Sequence, residues 1–180
     1  MEIKFEAVSS STCELYCKIG IKAYKEHYLH LWKNNDPTPY IEESFTIDVV
    51  RHELNDNLSS LWLIYKEDTA VGILKLIKDT PTGSHTTKES LLLEKIYILN
   101  KFSGNGIGSL ALSWVETYCK NWNKQVLWLE TMQKGPALNF YLKNGYHILN
   151  EKQLKFDQVL DNQKPMYVLL KKVKKPLFFS

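Results

Sequence analysis

Ser103-Gly104-Asn105-Gly106-Ile107-Gly108-Ser109 stands between an apolar run, Leu91 to Leu99, and a stretch in which Ile107, Leu110, Ala111, Trp114, Val115, Tyr118, Cys119 and Trp122 recur at helical spacing. The apolar run is short, β-branched and aromatic towards its end, and closed by polar and glycine residues, which predicts a buried strand. The glycines therefore fall where a strand turns into a helix. The first amides of a helix lack intrahelical partners and carry the positive end of its dipole. Glycines at that place let an anion reach bare N–H groups, so a phosphate or pyrophosphate site is one reading and a simple tight turn is the other. A P-loop requires Gly-Lys-Ser/Thr, and Gly108 is followed by Ser109 with no lysine. A dinucleotide fingerprint is disfavoured by the spacing Gly104-x-Gly106-x-Gly108, although Glu130 does end a later strand.

Glu94 is the second candidate for chemistry, because it interrupts the middle of the apolar strand. A carboxylate there must be hydrogen-bonded, paired or facing a cleft, since a stranded buried charge is expensive. Such a site would push its pKa upward and make it a base acting directly or through water. The competing reading is an exposed strand face beside Lys95. Tyr141, next to Phe140 on an amphipathic segment, reads as packing on its own. His27, Tyr28 and His30 cluster on a first helix, but no third ligand accompanies the histidines, so no metal is expected and they read as surface or wall.

The elements that must position these residues follow from patterning. Ile3, Phe5 and Ala7 alternate with charged residues as in a first strand. Ser9 to Ser11 offer hydroxyl caps for a helix carrying Leu15, Ile19 and Ala23 inward. A break at Lys33 to Pro39 precedes a second helix from about Tyr40 to Leu54, with Thr46 a candidate start of a separate turn. Leu61 to Tyr65 and Val71 to Ile77 predict a hairpin, with Gly72 marking a bulge or close packing. Lys78 to Lys88 reads as a flexible polar loop leading into the central strand. After the glycine helix come a strand at Val126, a helix opened by Gly135-Pro136 and closed by Asn144-Gly145, and a final hairpin of Tyr146 to Leu149 and Met166 to Val173.

Taken together, the order of these elements and their motifs resembles the GNAT superfamily of N-acetyltransferases. Ser103-Gly104-Asn105-Gly106-Ile107-Gly108 is similar to its Gln/Arg-x-x-Gly-x-Gly/Ala signature, with Ser103 at the Gln/Arg position. Val126 to Glu130 resembles the strand that follows, and Ala137-Leu138-Asn139-Phe140-Tyr141-Leu142-Lys143-Asn144-Gly145-Tyr146 resembles its Ala-x-x-Phe-Tyr-x-x-x-Gly-Phe helix. The resemblance implies an α/β (α+β) fold: a mixed, mostly antiparallel sheet with a central splayed strand pair and helices on both faces. It implies one domain over residues 1–180, with an acceptor-side half at 1–90 and an acetyl-CoA half at 91–180. It further implies acetyl-CoA as cosubstrate, with the backbone of Ile96, Tyr97 and Ile98 on the pantetheine arm and the amides of Ser103, Gly104, Asn105, Gly106, Ile107, Gly108 and Ser109 on the pyrophosphate. Lys134 stands where the family places a cofactor-binding asparagine. Tyr141 matches the tyrosine placed near the CoA sulfur, which makes it the general acid, and Glu94 is the companion base.

For the acceptor, Tyr40-Ile41-Glu42-Glu43-Ser44-Phe45-Thr46 and Leu93 to Ile98 are similar to bacterial spermine/spermidine acetyltransferases, and Glu42, Glu43 and Asp48 would attract a polycation. The chain departs from that subgroup at Trp128-Leu129-Glu130-Thr131-Met132-Gln133-Lys134, so a polyamine and an amino-acid-like amine both stand as acceptors. A module that keeps the fold without transferring acetyl is the alternative. Composition sets the remaining bounds: 180 residues, 44% hydrophobic, 24% charged, net charge +3. That charge is too small to argue for a nucleic-acid partner, and none is expected, the lysines at 171, 172, 174 and 175 reading as a solvated strand end. The absence of an apolar leader or membrane-length run sets the expectation of a cytoplasmic protein without membrane contact. Cys13, Cys17 and Cys119 read as reduced core thiols. The apolar tail Pro176-Leu177-Phe178-Phe179 is a candidate to dock on the domain or across a homodimer.

Overall fold

Seven strands form one sheet in the order β1-β2-β3-β4-β5-β7-β6. They are β1 (Ile3–Ala7), β2 (Ser59–Lys66), β3 (Thr69–Lys78), β4 (Ser90–Ile98), β5 (Val126–Met132), β6 (His147–Gln153) and β7 (Pro165–Lys172). The helices are α1 (Cys13–Tyr28), α2 (Thr38–Phe45), α3 (Ile47–Asn55), α4 (Ile107–Asn121) and α5 (Pro136–Lys143). The computed structural model describes residues 2–173; Lys174, Lys175 and the apolar tail at 176–179 lie outside the described residues. Among the described residues no helix is long and apolar enough to cross a membrane, and no cluster of His, Cys, Asp or Glu is arranged to hold a metal ion.

Every neighbouring pair is antiparallel except β4 and β5, which run parallel and pair only over Ser90–Leu92 with Val126–Trp128. Beyond Leu92 the two strands part. This gap at the centre of the sheet, with helices on both faces, is the mixed and mostly antiparallel architecture that the resemblance implies. One core forms between the sheet and α4 and α5, around Leu91, Leu93, Leu112, Val115 and Leu127. The other forms under α1, α2 and α3, around Tyr16, Phe45, Val50, Leu61 and Ile73.

Strand β4 changes phase in the middle. Leu91 and Leu93 face the α4 core, and so do Ile96 and Ile98, a switch from odd to even numbers. Its cause is a bulge: Lys75 pairs with Lys95 and Leu76 with Leu93, which leaves Glu94 as the extra residue. Lys95 and Tyr97 thereby turn towards the α1–α3 side. A second irregularity lies at Ile64/Tyr65, opposite Gly72 and Ala70, where the lone glycine predicts one. Gly72 is also needed for contact, since a Cβ there would stand 2.5 Å from the Tyr97 carbonyl oxygen.

Three local expectations are refined. The second helix is divided at Thr46, whose hydroxyl accepts from the Val49 N–H at 3.3 Å and caps α3. The serines at 9–11 do not cap α1, which starts after Thr12 without a side-chain cap. The 78–88 loop is anchored and not loose. Lys124 Nζ donates to the Asp79 carboxylate and to the carbonyls of Thr87 and Lys88, and the Trp128 indole N–H donates to the Thr80 carbonyl. All three cysteines are buried and free, and burial pushes Cys17 up to about 11 and Cys119 up to about 12, so neither is a thiolate near neutrality.

Candidate active site

Where β4 and β5 separate, the space between them opens into two cavities that meet. The larger, about 660 Å³, lies on the α4 side and runs from the strand ends to the glycine turn. Gly104 and Gly106 have φ of 77° and 80°, a left-handed conformation that costs any residue with a Cβ, and a Cβ at either would meet nothing within 4 Å. The loop is therefore shaped by glycine and open above. Gly106 is the N-cap of α4 and supplies no side-chain bond, so the first amides of a fifteen-residue helix are bare. The cavity has the chemistry of an anion cradle at one end.

The residues singled out in the sequence sort cleanly. Ile96, Tyr97, Ile98, Ser103, Gly104, Gly106, Gly108, Ser109, Lys134 and Tyr141 all line the large cavity. Asn105 and Ile107 do not: Ile107 turns its side chain into the core at 1% exposure and offers only backbone. Of the β4 backbone at Ile96, Tyr97 and Ile98 expected to bond a ligand, the Ile98 carbonyl already has a partner. The His27 ring lies 2.8 Å away, and since a carbonyl can only accept, Nε2 carries the proton. His27 and His30 are wall residues of this cavity.

The smaller cavity, about 240 Å³, lies on the α1–α2 side. Tyr24, Tyr28, Trp32, Tyr40, Tyr97 and Phe156 line it, with Glu43, Glu94 and Glu130 among its polar residues. Trp32 and Phe156 come together because the 154–163 connection between β6 and β7 folds over the segment after α1: Trp32 bridges Val159, and Leu160 N–H donates to the Leu31 carbonyl at 2.9 Å. Val159 is fully buried in this contact. The sequence reading leaves this loop without a course, and Tyr24, Trp32, Phe156 and Glu130 go unnoticed as site residues. The available signal is Leu154, Phe156 and Val159 in an otherwise polar connection, apolar residues that need a surface to cover.

Tyr141 stands at the junction and lines both cavities. Its hydroxyl has no protein hydrogen-bond partner among the described residues, whereas that of Tyr97, also at the junction, is 2.6 Å from the Tyr40 hydroxyl. Burial holds the Tyr141 phenol well above the ordinary tyrosine value, so it stays protonated and can give a proton but not take one.

Glu94 faces only the smaller cavity, and its protonation is the reverse of the raised carboxyl expected from the sequence. Burial pushes its pKa up, but the ammonium groups of Lys95 and Lys75 outweigh burial and hold it below the usual carboxylate range. Both lysines reach the same oxygen, Oε2, at 2.8 and 2.6 Å, and their side chains are each 6% exposed. The bulge explains the geometry, since it turns Lys95 to the side where Lys75 already points. Glu94 is thus a fixed anion near neutrality and a weak base.

A family model described as the acetyltransferase (GNAT) family matches residues 22–146. The chain is 26% identical over 117 residues to an uncharacterized N-acetyltransferase in the pepI 3′ region of Lactobacillus delbrueckii subsp. lactis, which covers 63% of this chain and 68% of that protein. Its fold is similar to that of the PaiA N-acetyltransferase from Thermoplasma acidophilum in complex with coenzyme A, with a TM-score of 0.72 and 15% identity over 96% of this chain and 99% of that one. A GNAT family acetyltransferase from Elizabethkingia anophelis with acetyl-CoA bound gives a TM-score of 0.61 and 18% identity over 94% and 97% of the two chains. With the parted strands, the bare helix start and the family match over most of its length, the chain belongs to the acetyltransferase (GNAT) family and is an acyl-CoA-dependent N-acetyltransferase.

Proposed function

We propose that the chain transfers an acetyl group from acetyl-CoA to a primary amine of a small molecule, a polyamine or an amino-acid-like amine, by direct attack in a ternary complex. The observation that carries this reading is the place of Tyr141, an unpartnered and protonated phenol at the meeting point of a cleft suited to anions and a second, smaller cavity. Bound acetyl-CoA supplies a thioester carbon for the amine to attack. The residues supply the rest. The amides from Gly104 to Ser109 and the Lys134 ammonium suit the phosphates, Ser109 and Gly106 lining the cleft and Asn105 and Ile107 contributing backbone alone; the Ser103 N–H, expected among them, already donates to the Asn100 carbonyl at 3.0 Å. Tyr141 donates its proton to the departing sulfur. Glu94 holds the incoming ammonium by charge, and the amine proton leaves through water, since a carboxylate held this low is too weak to strip it. Alignment of the two substrates in adjoining cavities provides the remaining acceleration.

The test is calorimetric titration with acetyl-CoA followed by free-thiol release against polyamines, amino acids and peptides. Binding with release on one amine class is expected. Ser103 and Lys134 depart from the family signature, and binding without release on any amine favours an inert CoA-binding module instead. No binding at all would sink both readings.

Gly106→Ala gives a separate check on the cradle. It is expected to lose about 1 to 2 kcal/mol of stability from the left-handed backbone and to raise KM for acetyl-CoA with little change in KM for the amine. Thermal melting and initial-rate kinetics read the two effects; a rise in the amine KM alone would place the phosphates elsewhere.

A further inference from the structure

The charge of the smaller cavity narrows the acceptor, an inference that rests on the acetyl-transfer reading. Four of its aromatic side chains, Tyr24, Trp32, Tyr40 and Tyr97, have spent their polar groups on one another. The Trp32 indole N–H donates to the Tyr24 hydroxyl at 3.0 Å, and the hydroxyls of Tyr40 and Tyr97 are 2.6 Å apart. Tyr24 stacks on Tyr40 with centroids 4.2 Å apart, and Phe156 lies edge-on to Tyr40 at 6.1 Å. What these side chains offer a ligand is mainly hydrocarbon and π surface, which favours an apolar body and attracts a cation.

The lysines around the cavity are equally committed. Lys75 and Lys95 are bound to Glu94, Lys75 also to Glu53, and Lys152 to Glu130 at 2.6 Å. Glu43 lines the cavity and has no ion-pair partner among the described residues. Four carboxylates face three lysines, and one negative charge is left over. A ligand ammonium satisfies that charge. A ligand carboxylate would enter a partly open cavity whose lining, among the described residues, has no free cation to receive it, a costly transfer opposed by repulsion.

We propose that the acceptor is a primary amine without a carboxylate, its ammonium drawn to Glu94 and Glu43 and its aliphatic or aromatic body laid against the Tyr24, Tyr40 and Phe156 rings, and that free amino acids are rejected.

The experiment uses matched pairs that differ only in the carboxylate: cadaverine against lysine, phenethylamine against phenylalanine, and isoamylamine against leucine. Each is assayed for thiol release with acetyl-CoA and, independently of turnover, for binding by calorimetry in the presence of CoA. The carboxylate-free member of each pair is expected to show kcat/KM at least about 100-fold higher, a bound set below the roughly 10⁴-fold by which a site rejects an analogue that leaves buried polar groups unpaired, with the same ranking in binding. Equal use or equal binding of the carboxylated members overturns the proposal, as does the failure of every amine to bind. If amines bind with the expected ranking but no thiol is released, the charge argument stands and the transfer reading falls. Glu43→Lys provides the control: it lies on the exposed side of α2, and it is expected to reduce the preference at least about tenfold while leaving acetyl-CoA affinity as it was. An unchanged preference in that variant removes Glu43 from the site.

Discussion

Replacing Tyr141 by phenylalanine is expected to lower kcat by about 100-fold, the lower end of what a positioned proton donor supplies, with little loss of affinity for acetyl-CoA. The substitution keeps the ring, which packs on Phe140 and Tyr146 with centroids 5.3 and 5.7 Å away, so the fold should hold. Only the hydroxyl is removed, and no described residue depends on it for a hydrogen bond. The pH profile adds a second readout. Because burial raises the Tyr141 pKa, the proton-donating form persists above the ordinary tyrosine value of about 10. The wild-type rate should therefore rise with pH as the amine loses its proton and show no fall up to about pH 10. A fall beginning near pH 8, or a Tyr141→Phe enzyme as fast as the parent, would take the proton donor away from this residue.

The glycine turn, the helix that follows and the Phe140-Tyr141 pair were legible in the sequence because each is a local pattern. Gly104 and Gly106 are required by backbone conformation and Gly72 by the approach of one carbonyl, and such needs leave a residue type at a fixed place. The wall of the smaller cavity was not legible in the same way. Trp32 and Phe156 are far apart in the chain and meet only because the 154–163 connection crosses over the end of α1. The protonation of Glu94 was misjudged for a related reason. Its carboxylate faces a cavity, one of the settings the sequence allows, and is one-third exposed there, but the alternation of β4 gives no sign of the bulge that brings Lys95 to the side of Lys75. A single extra residue changed which charges face the carboxylate, and so the direction of its pKa.

That cluster carries the largest expected effect on stability. Lys75→Met should cost about 3–5 kcal/mol, the usual consequence of removing one partner from a buried ion pair. The Lys75 ammonium lies 2.6 Å from both Glu53 Oε1 and Glu94 Oε2. Glu94 would keep Lys95, but Glu53 would lose its only ion-pair partner among the described residues, and its other oxygen is already buried without a hydrogen bond. For a chain of this length the loss corresponds to a fall in Tm on the order of 10 °C. The double variant Glu53→Leu/Lys75→Met removes the stranded charge together with its partner and should recover most of it, because a buried pair can be exchanged for apolar side chains at little net cost. A single-variant loss below about 1 kcal/mol would mean that Glu53 finds water and that the pair is not structurally committed. The same lysine sets the acid limit of the site. The folded-state pKa of Glu94 is depressed, so its negative charge persists above that value and is lost only as pH falls through it. Without Lys75 the carboxyl rises, and the pH below which the amine KM increases moves upward in both the single and the double variant. A shift in both, with stability restored only in the double, would separate the electrostatic role of Lys75 at the acceptor site from its part in holding α3 to the sheet.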